Sequence, residues 1–99
     1  MKINSVEEFE KIIKNDKVLV DFYADWCPPC RILSPIIEEI ENKKIIKVLK
    51  VNVDELRDLA IKYQILSIPT IIIFKDGREV DRIIGLVPKD EIIKRINKV

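Results

Sequence analysis

Lys17-Val18-Leu19-Val20-Asp21-Phe22-Tyr23-Ala24-Asp25-Trp26-Cys27-Pro28-Pro29-Cys30 passes from a strand pattern into a helix pattern. Lys17 to Tyr23 is β-rich and apolar on both faces, as suits a central strand covered on both sides. Asp21 is the anomaly in it. Ala24-Asp25-Trp26 reads as a loop. Pro28 and Pro29 suit the first turn of a helix, where an amide lacks an intrahelical acceptor anyway. The stretch holds both cysteines, the only tryptophan and two of the five prolines. Cysteines three apart on a first helical turn have Cα atoms roughly 5–5.5 Å apart, within disulfide range.

Upstream, Ser5-Val6-Glu7-Glu8 has the form of a capping box, and Val6, Phe9, Ile12 and Ile13 recur at helical spacing. A first helix is therefore expected from Ser5 to about Asn15, preceded by Met1-Lys2-Ile3 as at most a short edge strand. Downstream, helix two should run to about Asn42, with Ile32, Leu33, Ile36, Ile37 and Ile40 as its inner stripe. Pro35 falls inside that stripe and predicts a kink or break. A strand follows over Ile45 to Val53. Asp54 can cap a short third helix ending near Tyr63, with Leu56, Leu59 and Ala60 inward. Ile68-Pro69 ends a loop before the strand Thr70 to Phe74. The Asp76-Gly77 hairpin signal folds Glu79 to Ile84 back antiparallel, and Gly85 ends that strand. Pro88 opens a last helix to about Asn97, with Val87 as its N-cap and Ile92, Ile93 and Ile96 buried.

Parallel crossovers followed by a hairpin predict an α/β fold: a mixed central sheet flanked by helices on both faces, in one domain over 1–99. The first turn of helix two then lies at the carboxyl end of a central strand, where open α/β sheets place their chemistry.

The 99 residues are 47% apolar and 35% charged, with a net charge of +1. That balance predicts a compact soluble chain with no electrostatic pull toward nucleic acid or anionic lipid. No run approaches the roughly 18 apolar residues of a membrane span, and Met1-Lys2 leads into folded-looking sequence with no targeting stretch, so a cytoplasmic location is expected. In a reducing compartment a close cysteine pair is more often catalytic or metal-binding than structural. There is no histidine, which removes Ser-His and Cys-His catalysis. Zinc would want four ligands where this chain has two cysteines, so no metal site is expected. The richness in Ile, Lys and Glu, with one Met, matches proteins from hot environments. A thermostable protein, melting above about 70 °C, is expected.

In order and spacing, Val20-Asp21-Phe22-Tyr23-Ala24, Trp26-Cys27-x-Pro29-Cys30, Pro35, Ile68-Pro69-Thr70, Asp76-Gly77 and Gly85 resemble the thioredoxin family over nearly the whole chain. Two departures stand out. The family's usual inner pair is Gly-Pro where this chain has Pro28-Pro29, and its first strand is often longer than Met1-Lys2-Ile3 allows. The resemblance implies a thioredoxin-like fold and a protein disulfide oxidoreductase working by dithiol–disulfide exchange. Cys27 would be the exposed nucleophile and Cys30 the more buried resolving thiol. A helix N-terminus favours a thiolate, so the Cys27 thiol is expected to be displaced downward. Pro28 and Pro29 thin the amide donors there and stiffen the loop, which favours the disulfide form.

The resemblance also implies roles for other residues. Asp21 would be a buried acid behind Cys30 that takes its proton. Lys50 matches a lysine that partners this acid. Pro69 would be a cis-proline facing the pair, while Ile68 leaves its backbone free for an extended substrate. Trp26, Pro28, Gly85 and Leu86 would form a shallow apolar docking rim. No bound cofactor is expected; electrons would come from a separate, thioredoxin reductase-like donor. The expected partners are protein disulfides, met by a monomer. Tyr23, Asp25 and Arg31 read as solvated positions. The alternatives are a glutaredoxin-like protein using glutathione, which Cys-Pro-x-Cys fits, an oxidase or isomerase, and a redox-inactive binding module on the same fold.

Overall fold

The computed structural model describes residues 1–99. The elements are α1 (Val6–Ile12), β1 (Lys17–Tyr23), α2 (Pro28–Asn42), β2 (Lys47–Asn52), α3 (Arg57–Lys62), β3 (Thr70–Lys75), β4 (Arg78–Ile84) and α4 (Lys89–Asn97). One sheet has the order β2-β1-β3-β4. β1 runs parallel to β2, while β3 is antiparallel to both β1 and β4. The expected mixed sheet is therefore present, with β1 in its interior.

Strand parity divides the core. Val18, Val20 and Phe22 of β1 join Phe9 and Ile13 of the α1 region and Leu59 of α3 in one buried cluster. Leu19 joins Leu33, Ile37 and Ile40 of α2 and Ile92 and Ile96 of α4 in the other. Alternation then sends Asp21 to the α2 face, two residues beyond Leu19. Lys50 reaches the same face by the same rule, two residues beyond Val48 on β2. Asp21 and Lys50 are direct partners in the parallel register.

Several boundaries differ from the sequence expectation. α1 stops at Ile12 instead of Asn15, although its Ser5 cap forms: the Glu8 amide donates to Ser5 Oγ at 3.2 Å, and the Glu8 carboxylate accepts from the Asn4 amide at 3.0 Å. Met1-Lys2-Ile3 forms only a single parallel bridge, Lys2 to Lys50, at the β2 edge. β2 begins at Lys47 instead of Ile45 because the Ile45 amide turns back to the Ile40 carbonyl at 3.3 Å, with Lys44 at φ 55°. That is a Schellman termination made without glycine.

Helix two runs unbroken through Pro35, which is exposed and not part of the inner stripe. The buried positions are Cys30, Leu33, Ile37 and Ile40. Ile32, expected inward, is 60% exposed, because this narrower 3-4-3 spacing leaves it on the flank. α4 takes Pro88 as its N-cap instead of Val87, with no side-chain cap. The Asp76-Gly77 hairpin forms, with φ of 53° and 85°.

Candidate active site

Cys27 is the N-cap of α2, and Pro28 and Pro29 occupy its first two positions. Neither proline has an amide, so the first free N–H of the helix belongs to Cys30. It donates to Cys27 Sγ at 3.3 Å. The two cysteines are joined in a disulfide, with Cα atoms 5.2 Å apart.

Their exposures do not follow the expected order. Cys27 is 3% exposed and Cys30 4%, so Cys27 is not the open member of the pair. The reason is local packing: the disulfide joins Ala24 in a small cluster against which Tyr23, Val53 and Ile68 pack. What distinguishes the two sulfurs is their surroundings. Cys27 Sγ lies 3.8 Å from the Ile68 carbonyl. Cys30 lines a cavity of about 330 Å³ together with Asp21, Tyr23, Ala24, Asp25, Arg31, Ser34 and Lys50.

Asp21 is 1% exposed, and its Oδ1 has no hydrogen-bond partner. Burial raises its pKa from 3.8 to about 6, against the opposing pull of the Lys50 ammonium. An ionised carboxylate without donors is a poor buried group, and the proton is held more tightly in consequence. Lys50 does not pair with it. Its Nζ donates to Ser34 Oγ at 3.2 Å and sits 4.9 Å from the Tyr23 ring centroid.

The Ile68–Pro69 peptide is cis, and Pro69 is buried. The Pro69 carbonyl accepts from the Gly85 amide at 2.8 Å, which fastens the end of β4 beside the start of β3. Gly85 adopts φ 90°, a conformation that favours glycine. Ile68 lies outside every strand and makes no backbone–backbone hydrogen bond, so its amide is free. Trp26 is 63% exposed, and its Nε1 donates to Asp54 Oδ2 at 2.8 Å. Pro28 and Leu86 are exposed as well. These contacts tie Cys27 to Ile68, and Pro69 to Gly85.

Asp54 therefore does not cap α3, whose N-cap is Leu56 with no side-chain bond. Asn52 organises that turn, accepting from the Asp54 and Glu55 amides at 2.9 and 3.3 Å. Tyr23, Asp25 and Arg31, expected as merely solvated, all line the Asp21 cavity. Sequence reasoning passed over Ser34 and the tie of Asp54 to Trp26. The signal for Ser34 was present, since it follows Cys30 by four residues and shares its helix face. Nothing in the sequence marked Asp54 as a tryptophan partner.

A disulfide closed across a helix N-terminus, at the carboxyl end of a central strand, defines a thiol–disulfide oxidoreductase. The thioredoxin family model matches residues 1–98. A thioredoxin from Chlamydia caviae is 44% identical over 99 residues, covering 99% of this chain and 97% of that protein. One from Rickettsia bellii is 50% identical over 91 residues, 89% of this chain and 87% of the relative. Among solved structures, a mutant thioredoxin of Halobacterium salinarum superposes with a TM-score of 0.93 at 35% identity, covering 99% of this chain and 88% of its own. A Plasmodium falciparum thioredoxin gives 0.91 at 35% identity, with coverages of 98% and 96%. The chain belongs to the thioredoxin family, and its fold is thioredoxin-like.

Proposed function

We propose that the protein reduces protein disulfides with Cys27 as nucleophile and Cys30 as resolving thiol, Asp21 taking the Cys30 proton. The observation that carries this order is the placement of Cys30, and not Cys27, on the cavity holding the unpartnered Asp21 carboxylate. In the reduced protein, the Cys27 thiolate attacks one sulfur of a substrate disulfide. A Cys27–substrate bond forms and the first substrate sulfur leaves as thiolate. The Cys30 thiol then gives its proton to Asp21 and attacks Cys27 Sγ. The second substrate thiolate departs, leaving the Cys27–Cys30 disulfide. Two electrons pass to the substrate, and Asp21 returns its proton to solvent through the open cavity.

The Cys30 amide at Cys27 Sγ and the start of α2 stabilise the attacking thiolate. Pro28 and Pro29 restrict the loop and reduce the entropy lost on closing the ring. An extended substrate pairs with the free Ile68 backbone beside Pro69 and rests on Trp26, Pro28, Gly85 and Leu86. Lys50 tempers the Asp21 charge. The cycle uses no bound cofactor. A separate flavoprotein reductase of the kind that serves this family returns the electrons. The protein works as a cytoplasmic monomer, as its family resemblance suggests.

The test is a Cys30→Ser variant in cell extract. Proteins should accumulate in mixed disulfide with Cys27, and Cys27→Ser should trap none and turn over no disulfide. A Cys27→Ser protein with full activity would overturn the order. Rapid reduction by glutathione, with none by a flavoprotein reductase, would move the electron source to the glutaredoxin type.

A further inference from the structure

Asp21 and Lys50 face each other across neighbouring parallel strands, on one face of the sheet. Opposite charges so placed ordinarily meet. Here they do not: Asp21 Oδ1 has no partner, while the ammonium donates to Ser34 Oγ at 3.2 Å. Ser34 is in mid-α2, where alanine would be the better helix former, and Lys50 is its hydroxyl's one side-chain partner. The Tyr23 ring, 4.9 Å from Nζ, supports the same placement from the β1 side.

We propose that Ser34 is a positioning residue of the resolving step: its hydroxyl holds the Lys50 ammonium on the α2 side of the cavity, off the Asp21 carboxylate, so that Asp21 stays basic enough to take the Cys30 proton. The inference rests on the reading of Asp21 as proton acceptor. An ammonium in direct contact with a carboxylate favours its ionised form and weakens it as a base. Held one hydrogen bond away, the same charge tempers the burial of Asp21 without neutralising its basicity. The other charged or titratable groups of the cavity are Tyr23 on β1, Asp25 in the following loop, and Cys30 and Arg31 on α2. Lys2 and Glu55 act on Tyr23 from further out. The β3 residue opposite Asp21 is Ile71, which carries no charge. Removing the Ser34 hydroxyl changes none of these, so its effect isolates Lys50.

The experiment pairs a carbon-13 NMR titration of the Asp21 carboxyl in the oxidised protein with single-turnover release of a peptide from its mixed disulfide with Cys27. In Ser34→Ala the ammonium loses its acceptor and closes on Asp21. The carboxyl midpoint should fall by about one pH unit, and the release rate at high pH should drop by about three- to tenfold. Ser34→Thr, which keeps a hydroxyl, should restore both. In a Lys50→Met background, Ser34→Ala should move neither. An unmoved midpoint in Ser34→Ala, or an equal fall in the Lys50→Met background, overturns the role of Ser34. If the wild-type release rate still follows the Asp21 titration in that case, the proton-acceptor reading survives. A midpoint that falls while release keeps its wild-type pH profile overturns both.

Discussion

Relative to wild type, the Asp21→Asn protein should be more stable at neutral pH than in acid. The sign follows from the direction of the displaced pKa. Burial holds the folded carboxyl at about 6 instead of 3.8. Between those values the native state binds the proton and the unfolded chain does not. Stability therefore falls as pH rises through that window, the reverse of an ordinary ion-paired carboxylate. Each pH unit is worth about 1.36 kcal/mol, so Asp21 by itself costs wild type about 3 kcal/mol on going from about pH 3 to about pH 8. Asparagine does not titrate. It carries its own penalty for a buried amide, but that penalty is constant with pH and cancels when two pH values are compared.

The assay is guanidinium unfolding of the oxidised proteins, followed by Trp26 fluorescence. Burial, more than any exposed charge pair, causes the displacement, so the salt introduced by the denaturant does not erase it. With an m-value of about 3 kcal/mol/M, the midpoint of Asp21→Asn relative to wild type should move up by about 1 M between the two pH values. Other carboxylates titrate identically in both proteins and drop out. A difference that stays flat across the range would refute the reasoning: it would mean that Asp21 is solvated or paired in solution and is not a poised base.

Asp54→Ala removes the acceptor of the Trp26 indole. Because Trp26 is the only tryptophan, its emission should change directly. Loss of one exposed charge-assisted bond, about 1 kcal/mol, should raise KM for a protein disulfide about fivefold with kcat little changed. Gly85→Ala meets no heavy atom within 4 Å of its new Cβ, yet must hold φ 90°. Denaturation should show a loss of about 1–2 kcal/mol of purely backbone origin. Calorimetry should place the melting of the oxidised protein above about 70 °C, as the Ile, Lys and Glu bias implies.

The bounds of β1 and the start of α2 were legible because each carries its own local signal. An apolar run on both faces can only be an interior strand, and two prolines after a loop mark a helix start. α3 was misplaced for the opposite reason. Asp54 looks like an N-cap in isolation, and only the folded chain brings Trp26 near enough to claim its carboxylate. Ile32 shows the same limit. Five isoleucines and leucines at near-helical spacing fit a wide stripe, but the sheet accepts only the narrower one through Leu33, Ile37 and Ile40. The burial of Cys27 depends on Ile68, forty-one residues away. No spacing rule reaches that far. The hydrogen bond from Lys50 to Ser34 is likewise a tertiary contact between residues 16 apart in the sequence.

The placement of Asp21 is where fold and chemistry make opposite demands. Alternation along β1 puts residue 21 on the α2 face, where its cross-strand partners are Lys50 and the apolar Ile71. A leucine there would extend the core and add about 1.5–3 kcal/mol. The carboxylate instead costs a similar amount at neutral pH, by the arithmetic above. A domain of this size has two buried clusters of eleven residues each with which to offset that deficit. The group so maintained has its pKa raised to about 6 and lines the same cavity as Cys30. An exposed carboxylate, ionised at 3.8, would be too weak a base for a thiol. On the proposed mechanism, burial raises Asp21 while Ser34 keeps the Lys50 ammonium off it, and the resolving step would account for a destabilised residue kept in the core.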